Sequence, residues 1–285
     1  MGGYPFVKGH GTENDFVLLP DPDGSVHGAL DADRVRALCD RRAGIGGDGV
    51  IRVIRTAALR EYDAAAADVD AEWFMDYRNS DGSISEMCGN GVRVIARYLL
   101  DHEGLTGPLA IGTRDGVKTV TVDGDRLTVD LGRPKALGET KVAVGDRSWP
   151  ALHVDMGNPH AVAFVESLDD AGNLYDEPAY DPVVFPHGVN VEFVVRRGPE
   201  HVAMRVYERG SGETRSCGTG ACAVMVASAL ADGKAADGKG ADGRGPGETY
   251  RVDVPGGELA VTWTSDDRVL LTGPAVLVAS GVTLL

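Results

Sequence analysis

Two cysteines in this chain sit in the same unusual setting. Asp81-Gly82-Ser83-Ile84-Ser85-Glu86-Met87-Cys88-Gly89-Asn90-Gly91 runs into an apolar, helix-like segment, and Gly210-Ser211-Gly212-Glu213-Thr214-Arg215-Ser216-Cys217-Gly218-Thr219-Gly220 runs into another. The glycines leave backbone uncovered, so N–H groups at each helix start can face a bound anion. The helix dipole also favours the thiolate form of a cysteine placed there. A thiolate can take a proton from a carbon while a second thiol returns one to the opposite face, which inverts a stereocentre. The carbanion on the way needs preorganised donors for the carboxylate that shares its charge, and helix N-termini are such donors. A lone cysteine of this kind reads as a small packing residue. Its repetition, once per half of the chain, favours chemistry.

The elements that must position these thiols follow from pattern. Each cysteine motif is preceded by an Asn turn ahead of an apolar strand, Gly11-Thr12-Glu13-Asn14-Asp15-Phe16-Val17 in one half and Gly157-Asn158-Pro159-His160-Ala161-Val162 in the other. Such self-similarity predicts two related domains. Helices are expected over Ala32–Arg41, Gly91–Leu100 and Gly220–Leu230. The second has Val92, Ile95, Ala96 and Leu99 on one face and Arg93 and Arg97 on another; the third is apolar all round, the mark of a buried helix. Alternation predicts strands at Arg126–Leu131, Leu152–Met156, Val202–Val206, Val252–Val254 and Leu259–Trp263. Many strands with few helices read as α+β. Ala57–Ala71 and Lys234–Gly247 lack apolar periodicity and read as surface insertions.

Composition bounds the partners. The 285 residues are 43% hydrophobic and carry 43 acidic against 28 basic side chains, a net charge of −15. A basic surface for nucleic acid or an anionic membrane is therefore not expected, and a small-molecule substrate is. The opening Met1–Lys8 has no charged start followed by an apolar run, and Ala221–Ala231 is too short to span a bilayer, so a cytoplasmic protein is expected. Four scattered cysteines suit neither a disulfide framework nor a zinc site, and no metal is expected. Cys39 and Cys222 read as packing residues. Gly44-Ile45-Gly46-Gly47-Asp48-Gly49 matches a dinucleotide fingerprint, but a helix precedes it and a strand follows, the reverse of what that fingerprint requires. It reads as a turn. A homodimer is compatible with the sequence, though nothing in it specifies one.

Taken in order, Gly11–Phe16, Asn79–Ser83, Met87–Gly91, Met156–His160, Gly188–Val191, Tyr207–Thr214 and Ser216–Cys222 resemble the diaminopimelate epimerase family through most of the chain. The resemblance implies two pseudo-symmetric domains, each a curled mixed sheet around a central helix. Residues 1–132 would form the first and 133–271 the second, with a C-terminal strand at about 272–285 returning to the first. It implies cofactor-independent conversion of LL- to meso-diaminopimelate, in lysine and peptidoglycan precursor synthesis. Cys88 would be the proton acceptor and Cys217 the donor, with His160 and Glu208 tuning the thiols. Asn14, Asn79, Asn158, Asn190, Glu208 and Arg209 match substrate-contacting positions, and Gly89, Asn90, Gly218 and Thr219 match donors around the reacting carboxylate. The chemistry fits these residue types: Arg209 can clamp a distal carboxylate, and Glu208 with Asn carbonyls can take an ammonium. Many family members have Gln where this chain has Gly49. Three other readings stay open on the residues alone: the same fold acting on another amino acid, a cysteine hydrolase with Cys217 activated by His160, and a non-catalytic amino-acid-binding protein.

Overall fold

The computed structural model describes residues 3–59, 69–234 and 245–285. The fold is α+β and the chain forms two compact units: residues up to Val129 with Pro274–Leu285, and Asp130–Gly273.

In the first unit β1 (Tyr4–Gly11) and β2 (Asn14–Pro20) form a hairpin. Its turn, Thr12-Glu13, has φ of 50° and 61°, the left-handed pair that matches strand twist in a tight hairpin. Next come α1 (Ala32–Cys39), β3 (Gly49–Arg55), the single turn α2 (Thr56–Leu59), β4 (Trp73–Asn79), α3 (Gly89–His102), β5 (Leu109–Thr113), β6 (Gly116–Asp123) and β7 (Arg126–Asp130). β2 pairs parallel with β3, and β3 antiparallel with β4. This sheet is buried on both faces. Val17, Leu19 and Val50 pack with Val35, Leu38 and Cys39 of α1, while α3 packs on β1 through β6. That double burial makes β2 a continuous apolar run rather than an alternation.

The second unit runs β8 (Lys135–Val144), β9 (Arg147–Asp155), β10 (Pro159–Phe164), β11 (Ala179–Tyr180), β12 (Asn190–Gly198), β13 (His201–Glu208), β14 (Gly212–Thr214), α4 (Gly218–Ala231), β15 (Glu248–Val254), β16 (Gly257–Trp263) and β17 (Val269–Pro274). β10 and β12 are parallel, with His160 opposite Asn190. α4 packs on β9, β10, β12, β13, β15 and β16 and is buried from Gly218 to Ala229. The last strand, β18 (Val276–Thr283), pairs antiparallel with β1 of the first unit.

Several local expectations shift. α1 stops at Cys39 because the Asp40 carboxylate accepts the Arg42 and Ala43 N–H groups, both at 2.7 Å. α3 and α4 begin two residues before the expected starts, since the cysteines cap them. Arg93, which periodicity sets on a different face from Val92, Ile95, Ala96 and Leu99, is wholly buried. In Ala57–Ala71 the described ends are core: Leu59 and Val69 pack with Ile54 and Phe74. Residues 60–68 and 235–244, the middles of both expected insertions, lie outside the described residues. Gly44–Gly49 does connect a helix to a strand, α1 to β3. Among the described residues no helix is long and apolar enough to cross a membrane, and no cluster of three or more His, Cys, Asp or Glu side chains could hold a metal ion.

Candidate active site

Each predicted catalytic cysteine caps the central helix of its unit. Cys88 has extended φ/ψ of −145° and 118°, and its Sγ accepts the Gly91 N–H at 3.4 Å. Cys217 has φ/ψ of −116° and 116°, and its Sγ accepts the Gly220 N–H at 3.3 Å. A thiol thus does what Ser or Asp does at an ordinary N-cap, in the place where the helix best supports negative charge.

Around Cys88 the first unit supplies an amide network. The Asn14 amide nitrogen donates to Asp48 Oδ2 at 2.8 Å, and its Oδ1 accepts Asn90 Nδ2 at 3.1 Å and the Cys88 thiol at 3.7 Å. Asn90, itself buried, accepts from buried Arg93 at 2.5 Å. Beneath the hairpin turn Asp15 and Asp48 are held by Arg41, and Lys8 donates to Asp15 and to the Gly46 carbonyl. Asn79 ends β4, where its amide donates to Ser83 Oγ at 3.0 Å. It lies opposite Gly49. A Cβ at Gly49 would stand 2.5 Å from the Arg78 carbonyl and from a Tyr77 ring carbon. The Tyr77 ring fills the space into which a longer residue 49 would project.

Around Cys217 the second unit supplies carboxylates. The thiol is buried and pushed well above the usual range, first by desolvation, then by the charges of Glu208 and Glu192, against the opposing Thr219 hydroxyl and Gly220 N–H. Thr219 Oγ1 lies 3.5 Å from Sγ. Glu208, at the end of β13, accepts a hydrogen bond from the Thr214 hydroxyl. Arg209 is exposed, with its N–H donating to Asn190 Oδ1 at 3.0 Å and Nη1 donating to the His187 carbonyl at 3.0 Å. Gly188, at φ 83°, leaves room for it, since a Cβ there would meet Arg209 Cδ at 2.8 Å. The Asn190 amide nitrogen donates to the Pro159 carbonyl at 3.2 Å, so its side chain ties the Arg209 turn to β10. His160 bridges Asn158 and Glu192, a residue to which sequence reasoning assigned no role.

The two thiols are therefore differently set. Cys88 is half-buried beside amides with a buried guanidinium behind them; Cys217 is buried beside carboxylates. Cys39 is buried as the last residue of α1, where burial pushes its thiol up to about 12, and Cys222 is buried in the second turn of α4. A thiol raised that far keeps its proton at neutral pH.

The diaminopimelate epimerase family model matches residues 6–137 and 152–278. A diaminopimelate epimerase of Streptomyces coelicolor is 59% identical over 282 residues, covering 97% of this chain and 94% of that protein. One from Thermobifida fusca is 48% identical, covering 97% and 96%. Among solved structures, a hydroxyproline epimerase from Agrobacterium vitis shares the fold at a TM-score of 0.67 and 14% identity, covering 99% of this chain and 92% of that one. A phenazine biosynthesis PhzF family protein from Enterococcus faecalis does so at 0.62 and 12%, covering 99% and 100%. On the family match and the identity to these relatives, the chain belongs to the diaminopimelate epimerase family.

Proposed function

We propose that this chain interconverts LL- and meso-2,6-diaminopimelate without pyridoxal phosphate, serving lysine and peptidoglycan precursor synthesis in the cytoplasm. The observation that carries the reading is the pair of cysteine caps with unlike surroundings. Cys217, raised by burial and two carboxylates, holds its proton at neutral pH and is the donor; Cys88 is the acceptor. The Cys88 thiolate takes the α-proton, leaving a carbanion whose charge spreads into the adjacent carboxylate. The backbone N–H groups of Gly89, Asn90, Gly218 and Thr219, in the first turns of α3 and α4, stabilise that charge. The Cys217 thiol then gives its proton to the opposite face. The turn ends with Cys88 as thiol and Cys217 as thiolate, the reverse-direction starting state.

The remaining residues divide the rest of the substrate. Arg209 offers a bidentate guanidinium to the distal carboxylate, and Glu208 with the Asn14, Asn79, Asn158 and Asn190 amides supplies acceptors and donors for the ammonium groups and the carboxylates. Glu208 also tunes Cys217 through its charge, and His160 acts in the same cluster.

The substrate assignment is tested by incubating the pure, reduced chain separately with LL-diaminopimelate, meso-diaminopimelate, L-proline and trans-4-hydroxy-L-proline and resolving stereoisomers chromatographically. Turnover confined to the diaminopimelates is expected. Turnover of a proline with none of diaminopimelate would overturn the assignment.

A further inference from the structure

β13 and β14 form a tight hairpin in which Val206 lies opposite Thr214, Tyr207 opposite Glu213 and Glu208 opposite Gly212. Directly opposed residues share a face and alternate residues return to it, so Val206, Glu208 and Thr214 stand on one face of the hairpin. Val202 and Met204 of β13 stand on that face too, and both are buried. Tyr207 and Glu213 take the opposite face, where Arg205 clamps the Glu213 carboxylate at 2.6 and 2.9 Å. Gly212, at φ 81°, sets no side chain across from Glu208. The Thr214 hydroxyl crosses that gap diagonally to the Glu208 carboxylate. An ionised carboxylate only accepts, so the hydroxyl donates.

Strand pairing and the Ser211 N–H, which donates to the Glu208 carbonyl at 3.0 Å, fix the backbone of Glu208. They do not fix its side chain, which has three rotatable bonds and loses their freedom only at a cost. Threonine is suited to bear that cost in advance. It is β-branched and therefore stiff at χ1, and it stands half-buried in a paired strand, so its hydroxyl is in place before a substrate arrives. The charge of Glu208 also reaches Cys217, three residues beyond Thr214 along the chain. We propose that Thr214 is a positioning residue: its hydroxyl holds the Glu208 carboxylate where it meets the substrate ammonium and stands beside Cys217. One hydroxyl thereby joins the carboxylate to the segment that carries the proton-donating thiol. The inference rests on the proposed roles of Glu208 in substrate binding and in tuning Cys217.

The test compares steady-state kinetics of the wild type, Thr214→Val and Thr214→Ser on LL-diaminopimelate. Valine keeps the branched shape and loses the hydroxyl; serine keeps the hydroxyl and loses the methyl. Thr214→Val should lower kcat/KM about tenfold, the loss of one hydrogen bond to a charged group. Thr214→Ser should stay within about threefold of the wild type, since only the stiffness of χ1 is lost. Serine worse than valine, or the two alike, would mean that Thr214 serves packing alone and overturn the proposal. Against a Glu208→Ala background Thr214→Val should cost nothing further, because the hydroxyl acts through the carboxylate. The same loss in both backgrounds would make the hydroxyl an independent contact and overturn the proposal as well. Where Glu208→Ala turns over too slowly to measure, the order of serine and valine decides. Inactivity of the wild type on every diaminopimelate isomer would sink the functional reading and this inference with it, whereas an active wild type matched by Thr214→Val would sink the inference alone.

Discussion

The Cys88 thiol meets the amide oxygen of Asn14 at 3.7 Å, across 74 residues of sequence. The β1–β2 hairpin thereby reaches the cap of α3, and the same amide donates to Asp48 at 2.8 Å. The Asp48 carboxyl is raised from its ordinary value, by burial first and by the charge of Asp15 second. Asn14→Asp would set a further carboxylate against Asp48 and Cys88. We expect kcat to fall about tenfold or more, and the acid limb of the pH–rate profile to move to higher pH, because added negative charge opposes the thiolate. An unchanged profile would show that Asn14 has no part in setting the thiol.

The two N-terminal helix glycines should differ in their tolerance of a methyl group. By helix propensity alone Gly→Ala stabilises by about 1 kcal/mol at either place. At Gly220, however, a Cβ would lie 2.7 Å from Glu192 Oε1 and 3.2 Å from Cys217 Sγ. At Gly91 it would meet Ile51 Cδ1 at 3.2 Å and Met75 Sδ at 3.3 Å, both ends of flexible side chains. Urea unfolding should find Gly220→Ala destabilised by about 1–3 kcal/mol, the usual cost of overpacking, and Gly91→Ala affected less. Equal effects would contradict the tight fit of Glu192 against α4.

Much of this was legible because it depended on local pattern. The cysteine–glycine repeats marked both helix starts, and alternation found the half-buried strands β7, β9, β13, β15 and β16. What escaped notice depended on neighbours distant in sequence. Glu192 matters because parallel pairing of β10 with β12 sets it near His160, and no single-segment pattern encodes that pairing. A signal did exist: one acid inside the apolar run Val191–Val195. A period of 3.6 sets Arg93 on a different face from Val92 and Ile95 but cannot tell a solvent-facing cation from one buried against Asn90. At position 49, where many family members have Gln, the tight fit against the Arg78 carbonyl and the Tyr77 ring comes from the neighbouring strand and is likewise invisible in the local pattern.

Alkaline pH should weaken the fold in a way traceable to Cys39. Burial raises its thiol from 9.0 to about 12. Between those values the unfolded chain has lost a proton that the folded chain keeps, so stability is fully present below the unfolded value and falls as pH rises toward the folded one. The slope is about 1.4 kcal/mol per pH unit for one such group. Cys217, raised by its burial, adds in the same direction. Urea midpoints across the alkaline range should fall less steeply in Cys39→Ala than in the wild type. Parallel slopes would count against this account of Cys39.

Arg209 presents an exposed guanidinium from a turn pinned by Asn190 and His187. Lysine keeps the charge but loses the planar fork. Steady-state kinetics of Arg209→Lys should show KM raised about tenfold with kcat much less affected, as for a contact made equally before and during proton transfer. A fall in kcat with unchanged KM would place Arg209 at the reacting centre instead.

The central claim is that two thiols exchange one proton each with the α-carbon. Its most direct test is solvent deuterium incorporation into LL-diaminopimelate in D₂O, under reducing conditions and without pyridoxal phosphate, for the wild type, Cys88→Ser and Cys217→Ser. Deuterium at the α-carbon together with the meso isomer, lost in either variant, is the predicted result. Full activity in Cys88→Ser, or no incorporation by folded, reduced wild type, would contradict it.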